Sequence, residues 1–167
     1  MLQADWYGGN HVATQQPRRL LSEDLLHTPD EEGAIAAPVT VRVEGPPPKW
    51  LTQIIRALNE LLSLPANWDS YGAHSIKLSS AVASLEFLTQ YMDDATPIPA
   101  VVPTVSGDVQ VEWHTETLDI EVRFGGRHCI EVLVEDLEQD NVEEFQLSSQ
   151  TRDILEDALD RLGGLAG

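Results

Sequence analysis

The sequence predicts an α+β fold: two helices, a three- to four-stranded antiparallel meander and a closing C-terminal helix. Three patterns carry that expectation. Apolar residues recur at helical spacing from Trp50 to Leu62 and again from Leu78 to Met92. They then alternate with polar residues from Val109 to Val134, the period of a strand with one buried face. Helical spacing returns after Ser148 and Ser149, as Ile154, Leu155, Ala158, Leu159 and Leu162.

Residues 1–47 read as a Pro-rich, acidic N-terminal tail without a core of its own, and 48–167 as a single domain. In the tail, Val39, Val41 and Val43 alternate with polar residues. Residues 39–43 are therefore expected to form an edge strand on the domain's own sheet, or a docking strand for another protein. Leu20, Leu21, Leu25 and Leu26 suggest a short amphipathic helix, and Gly45 with Pro46, Pro47 and Pro48 a stiff hinge. Pro48 suits the first turn of the first helix and Pro65 stops it. The second helix runs from Lys77 or Ser79 to Met92, with Leu78, Ala81, Val82, Leu85, Leu88 and Met92 on one side.

Val101-Val102 follows Pro97-Ile-Pro99, and Val109, Val111 and Trp113 open the meander. Leu118, Ile120, Val122 and Phe124 follow, and after Gly125-Gly126 come Ile130, Val132 and Val134. Residues 135–147 read as acidic and irregular. The last helix is capped by Ser148 or Ser149 and ends at Gly163-Gly164.

Charge narrows the function classes. The chain has 28 acidic and 10 basic residues, a net charge of −18, and 16 of the acids but only four of the bases lie in residues 108–167. Such a field repels phosphates, which excludes direct nucleic-acid binding by charge neutralisation. No apolar run has membrane-spanning length, and the N-terminus lacks the pattern of a signal peptide, so a cytoplasmic location is expected. Cys129 is the single cysteine, with no internal disulfide partner, and reads as a buried strand residue.

Two constellations are candidates for binding. The first is an acidic face: Glu112, Asp119, Glu121, Glu131 and Glu135 at the polar positions of the meander, extended by Asp136, Glu138, Asp140, Glu143 and Glu144. Asp153, Glu156, Asp157 and Asp160 on the last helix are expected to continue it. Clustered like charge opposes the compact state but steers association with a basic partner. The second is the loop Leu64–His74, where Asn67, Trp68, Asp69 and Tyr71 cluster. Trp68 and Tyr71 either plug the gap where the helices meet the sheet or form an aromatic recognition surface. Glu112, His114 and His128 raise the alternative of a metal-dependent hydrolase, but the chain has no HExxH, GxSxG or phosphate-loop pattern. No metal or cofactor is expected.

Asn67-Trp-Asp-Ser-Tyr-Gly-Ala73 with Ser75-Ile76, the prolines Pro97, Pro99 and Pro103, the strand Gly107-Asp-Val-Gln-Val-Glu-Trp-His114 and then Leu118-Asp-Ile-Glu-Val122 form a recognisable set. It resembles a family of small uncharacterised bacterial proteins with an NWDGYGA-type loop and a GGVQLEWH-type strand. This chain departs from that pattern at Ser70, at His74-Ser75 and at Asp108. The resemblance covers about residues 58–124. It implies a bacterial or phage origin and a mobile-element setting, and it assigns no reaction.

The expected function is a non-enzymatic acidic interaction protein. It would be antitoxin-like, an inhibitor or an accessory subunit, and would bind a basic, nucleic-acid-handling protein such as a toxin, nuclease or effector. A DNA-mimic inhibitor is the nearest alternative. The sequence sets no oligomeric state.

Overall fold

The computed structural model describes residues 47–126 and 129–165 and, nearer the N-terminus, the backbone of residues 2–7, 20–21 and 39–44. Those last three segments are strands, β1 (Leu2–Tyr7), β2 (Leu20–Leu21) and β3 (Val39–Glu44), joined in the order β1-β3-β2. β1 runs parallel to β3 and β2 antiparallel to it. The strand expected at 39–43 is present as β3, but it pairs within this small sheet rather than on the main one. Leu20 and Leu21 are extended, not helical, and Leu25 and Leu26 lie outside the described residues.

Helix α1 (Leu51–Leu62) opens with the Leu51 N–H donating to the Pro48 carbonyl at 3.1 Å. Its 3.6-residue spacing places Trp50, Leu51, Ile54 and Leu58 in the core, while Ile55, Leu61 and Leu62 are half-buried beside it. Helix α2 (Leu78–Tyr91) differs from the one-sided stripe expected of it. Ser80, Ala81, Val82, Ala83, Ser84, Leu85, Phe87, Leu88 and Thr89 are all buried, so the helix is enclosed around most of its circumference. Small and hydroxyl residues make this possible. Ser84 and Thr89 return their hydroxyls to the carbonyls of Ala81 and Leu85, leaving no orphan polar group on the buried side. Ser80 does more: its Oγ accepts the Val109 N–H at 2.9 Å and donates to the Phe124 carbonyl.

The main sheet has five antiparallel strands in sequence order: β4 (Ala100–Pro103), β5 (Val109–His114), β6 (Leu118–Phe124), β7 (Ile130–Asp136) and β8 (Asn141–Gln146). β8 corrects the irregular reading of 135–147. Its sequence, Asn-Val-Glu-Glu-Phe-Gln, has no clean alternation, because it lies at the sheet's edge, where burial on one side is incomplete. Turn chemistry makes the strand: Asp136 accepts the N–H groups of Glu138 and Gln139, and Asp140 adopts φ 52°, folding the chain back so that Phe145 faces Val132.

Helix α3 (Arg152–Leu165) starts later than expected and runs through Gly163-Gly164. Ser148 forms a turn with Thr151 ahead of it instead of capping it. Leu155, Ala158, Leu159 and Leu162 bury its inner side. The three helices cover one face of the sheet, with α1 against β4, α2 against β5 and β6, and α3 against β7. No described helix packs on the opposite face. No helix among the described residues is long and apolar enough to cross a membrane.

Candidate functional site

Strand register sorts the meander's side chains strictly. Val109, Val111, Trp113, Leu118, Ile120, Val122, Phe124, Val132 and Val134 turn toward the helices and are buried. Their alternates form rows across the open face. One row reads Glu112, Glu121, Leu133, Glu144; another Gln110, Arg123, Glu131, Gln146; a third His114, Asp119, Glu135, Val142. Six of the ten acids expected to bind a partner, Glu112, Asp119, Glu121, Glu131, Glu135 and Glu144, therefore share this surface with a single arginine among the described residues.

Opposed like charges sit directly across the strands. Glu112 faces Glu121, and Asp119 faces Glu135. Such pairs repel unless something intervenes. Between the first pair lies the Gln110 amide, which donates to Glu112 Oε1 at 2.9 Å and to Glu121 Oε2 at 3.0 Å. Arg123 pairs with Glu131. His114 lies between two carboxylates, with Nε2 3.1 Å from Glu112 and Nδ1 3.3 Å from Asp119. The hydrogen bond to Glu112 is the main reason its imidazole is held above the ordinary value of 6.5, partial burial opposing it and Asp119 adding to it. Asp119 Oδ1 is buried and has no well-aligned hydrogen bond. Protonating His114 supplies a donor from each ring nitrogen.

Glu135 and Glu144 have no cationic partner among the described residues. Glu121, Glu131 and Glu144 rim a depression of about 120 Å³ whose lining also includes Gln110, Arg123 and the outward side chain of Leu133. Leu133 gives it one apolar contact beside the carboxylates, a combination suited to the aliphatic stem and charged head of a lysine or arginine.

The remaining acids do not join that surface. Asp136 belongs to the helix side, where Arg161 of α3 reaches it at 2.7 Å and only 7% of its side chain is exposed. The backbone N–H of Gln139, then Arg161, hold its carboxyl below the usual range. Glu138 and Asp140 occupy the β7–β8 turn, and Glu143 shares the helix-side parity of β8 with Phe145. The exposed acids of α3, Asp153, Glu156, Asp157 and Asp160, lie beyond the helical layer. The sheet-plus-helix face expected from sequence is therefore two surfaces on opposite sides of the molecule, because α3 packs on the apolar face.

The aromatic loop is tightly built. Asn67 takes φ 62°, Ser70 φ 67° and Gly72 φ 99°. The Asn67 side chain accepts the Gly72 N–H at 2.7 Å, and Asp69 accepts from Tyr71 at 2.8 Å and Ala73 at 3.0 Å. Those backbone donors, Tyr71 first, lower the Asp69 carboxyl. Trp68 is half-buried and donates its indole N–H to the His74 carbonyl, whereas Tyr71 is 94% exposed and plugs nothing. The two resemblance motifs meet in space: the His74 N–H donates to Val105, the Lys77 N–H donates to Gly107, and Lys77 Nζ reaches Asp108 at 2.8 Å. A Cβ on Gly107, which has φ 80°, would run into the Ser75 carbonyl.

Among the described residues no group of three or more His, Cys, Asp and Glu is placed to hold a metal. His128, needed for the hydrolase alternative, lies outside them. Cys129 is half-buried in the β6–β7 hairpin, its carbonyl accepting the Gly125 N–H, and is not a buried strand residue. A larger cavity of about 290 Å³ lies between α2 and the start of α3, lined by none of the expected site residues. No family model matches this chain, no curated protein matches its sequence and no solved structure matches it.

Sequence reading missed three contributors: Gln110, Leu133 and β8 as a strand. The first two had a signal, since both occupy outward positions of strands whose inward positions were recognised. Their part in the depression depends on neighbours more than ten residues away, and no local pattern reports that.

Proposed function

We propose that the chain is a non-enzymatic interaction protein whose open sheet face engages a basic, nucleic-acid-handling protein partner, in an antitoxin-like, inhibitory or accessory role in the cytoplasm of a bacterium. One observation carries this reading. Among the described residues, six carboxylates stand on a single face with one arginine among them, and three of them rim the depression beside Leu133. Folding brings these charges together at an energetic cost, and an oppositely charged partner offsets it. The loop at Asn67, Trp68, Asp69 and Tyr71 is a second contact in this proposal, with Tyr71 as its exposed anchor.

The test is capture from the source organism at low and at high salt, using the full chain and a Glu112→Gln/Glu121→Gln/Glu144→Gln variant. A partner of high basic content should be retained by the parent chain, with an association rate that falls steeply as ionic strength rises. Equal capture by the variant, or association indifferent to salt, refutes the reading.

A further inference from the structure

The two edges of the main sheet are built differently. Antiparallel pairing alternates the direction of backbone groups, so each edge strand turns every second N–H and C=O away from its neighbour. On β4, the Thr104 N–H bonds to Asp108, and the register places 100 and 102 on the inward set. The outward set is Pro99, Val101 and Pro103, and two of those three positions have no N–H to offer. β4 is a blocked edge.

On β8 the Leu147 N–H bonds to the Ile130 carbonyl, which makes 141, 143 and 145 inward and 142, 144 and 146 outward. Val142, Glu144 and Gln146 each keep an N–H and a C=O, and no described strand pairs with them. Val142 is 57% exposed. Side chains of the same three residues lie on the acidic face, so the row Glu112, Glu121, Leu133, Glu144 stops at an open position where a sixth strand would add one more residue.

We infer that β8 is a strand-addition site and that its occupant is an extended basic segment of the partner protein. Charge decides between occupants. A second copy pairing antiparallel through its own β8 in a centred register would set Glu144 against the Glu144 of the other copy, or Glu143 against its Glu143, and directly opposed like charges destabilise a pair. Those glutamates guard the edge against self-association. The same residues favour a strand carrying Lys or Arg at two consecutive positions, one beside Glu144 on the open face and one beside Glu143 on the other. Main-chain bonds from Val142, Glu144 and Gln146 supply affinity, and the Glu144 rim of the Leu133 depression selects the cation.

This inference rests on the acidic-face reading, and the experiment separates the two. The probe is a synthetic peptide of Thr-Val repeats with a central Lys-Arg, used with the full chain. Two companions accompany it: one N-methylated at alternate residues, keeping its charge but losing its outward bonds, and one with Gln-Gln at the centre. The parent peptide should bind and slow amide hydrogen exchange at Val142, Glu144 and Gln146, whose N–H groups no described strand engages. N-methylation should weaken binding about tenfold or more through loss of the main-chain bonds. Val142→Pro, which removes an outward N–H and no ladder bond, should act in the same direction. Unchanged exchange at those three amides, with the N-methylated peptide binding as well as its parent, overturns strand addition and leaves the acidic face standing. Equal binding of the Gln-Gln peptide overturns the charge reading instead. Absence of any binding, or self-association of the chain through β8 in sedimentation, also overturns the inference.

Discussion

The two faces of the five-stranded sheet come from the same strands, one residue position apart. On the helix side, Val109, Val111, Leu118, Ile120, Val122 and Phe124 have no exposed surface at all. On the other, Glu112 keeps 19% of its side chain exposed and Asp119 26%, with His114 between them. The inner face is stabilised by removing apolar area from water; the outer one is built against its own electrostatics. The difference teaches where each kind of constraint lies: fold on the inward residues, recognition on the outward ones.

The comparison breaks first if the inner face tolerates truncation. Ile120→Ala should cost about 2–5 kcal/mol in urea unfolding, as a buried branched residue leaving a cavity. Ser80→Ala comes next. It strips the acceptor from the buried Val109 N–H and the hydroxyl donor from the Phe124 carbonyl, and should cost about 1–3 kcal/mol although it removes a single oxygen. A neutral result would mean that α2 is not pinned to β5 and β6 in the way described.

Asp136 sharpens the contrast because it is an acid on the wrong side for partner binding. Its carboxyl titrates below the ordinary 3.8, so its contribution to stability is present above that value and is lost as pH falls through the lowered one. Asp136→Asn should therefore be less stable at neutral pH, and the two unfolding curves should converge in acid. Parallel curves would contradict the Arg161 pairing.

On the open face the effects shrink and change sign. Glu121→Gln relieves the repulsion with Glu112 and should leave stability unchanged or raise it by about 0.5 kcal/mol. His114 gives the smallest effect. Its value is raised, so its contribution is complete below 6.5 and is lost as pH rises through the raised value. His114→Gln should flatten that part of the pH profile, and an NMR titration of the imidazole should place its midpoint above 6.5.

Much of this molecule can be read from its sequence because its main patterns are local. The stripe from Trp50 to Leu58 and the alternation from Val109 to Val134 each bury the side they mark, since periods of 3.6 and 2 repeat within a few residues. Where the reading slipped, the cause was distant. α2 seemed one-sided because Ser80, Ala83 and Ser84 are small and polar enough to look exposed, yet the sheet and neighbouring helices enclose them. Gly163-Gly164 looked like a stop, but α3 continues through both.

What the sequence determined by itself was the α+β class, the three helices, the inward and outward residues of β5 to β7, and the excess of negative charge. Only the tertiary structure decided that 141–146 joins the sheet, that α3 lies on the apolar side and carries its acids away, and that Glu121, Glu131 and Glu144 converge on one depression. The physical reason is range. Backbone periodicity acts over a few residues and is written along the chain, whereas which carboxylates become neighbours depends on strand pairing and helix packing that the chain settles as a whole.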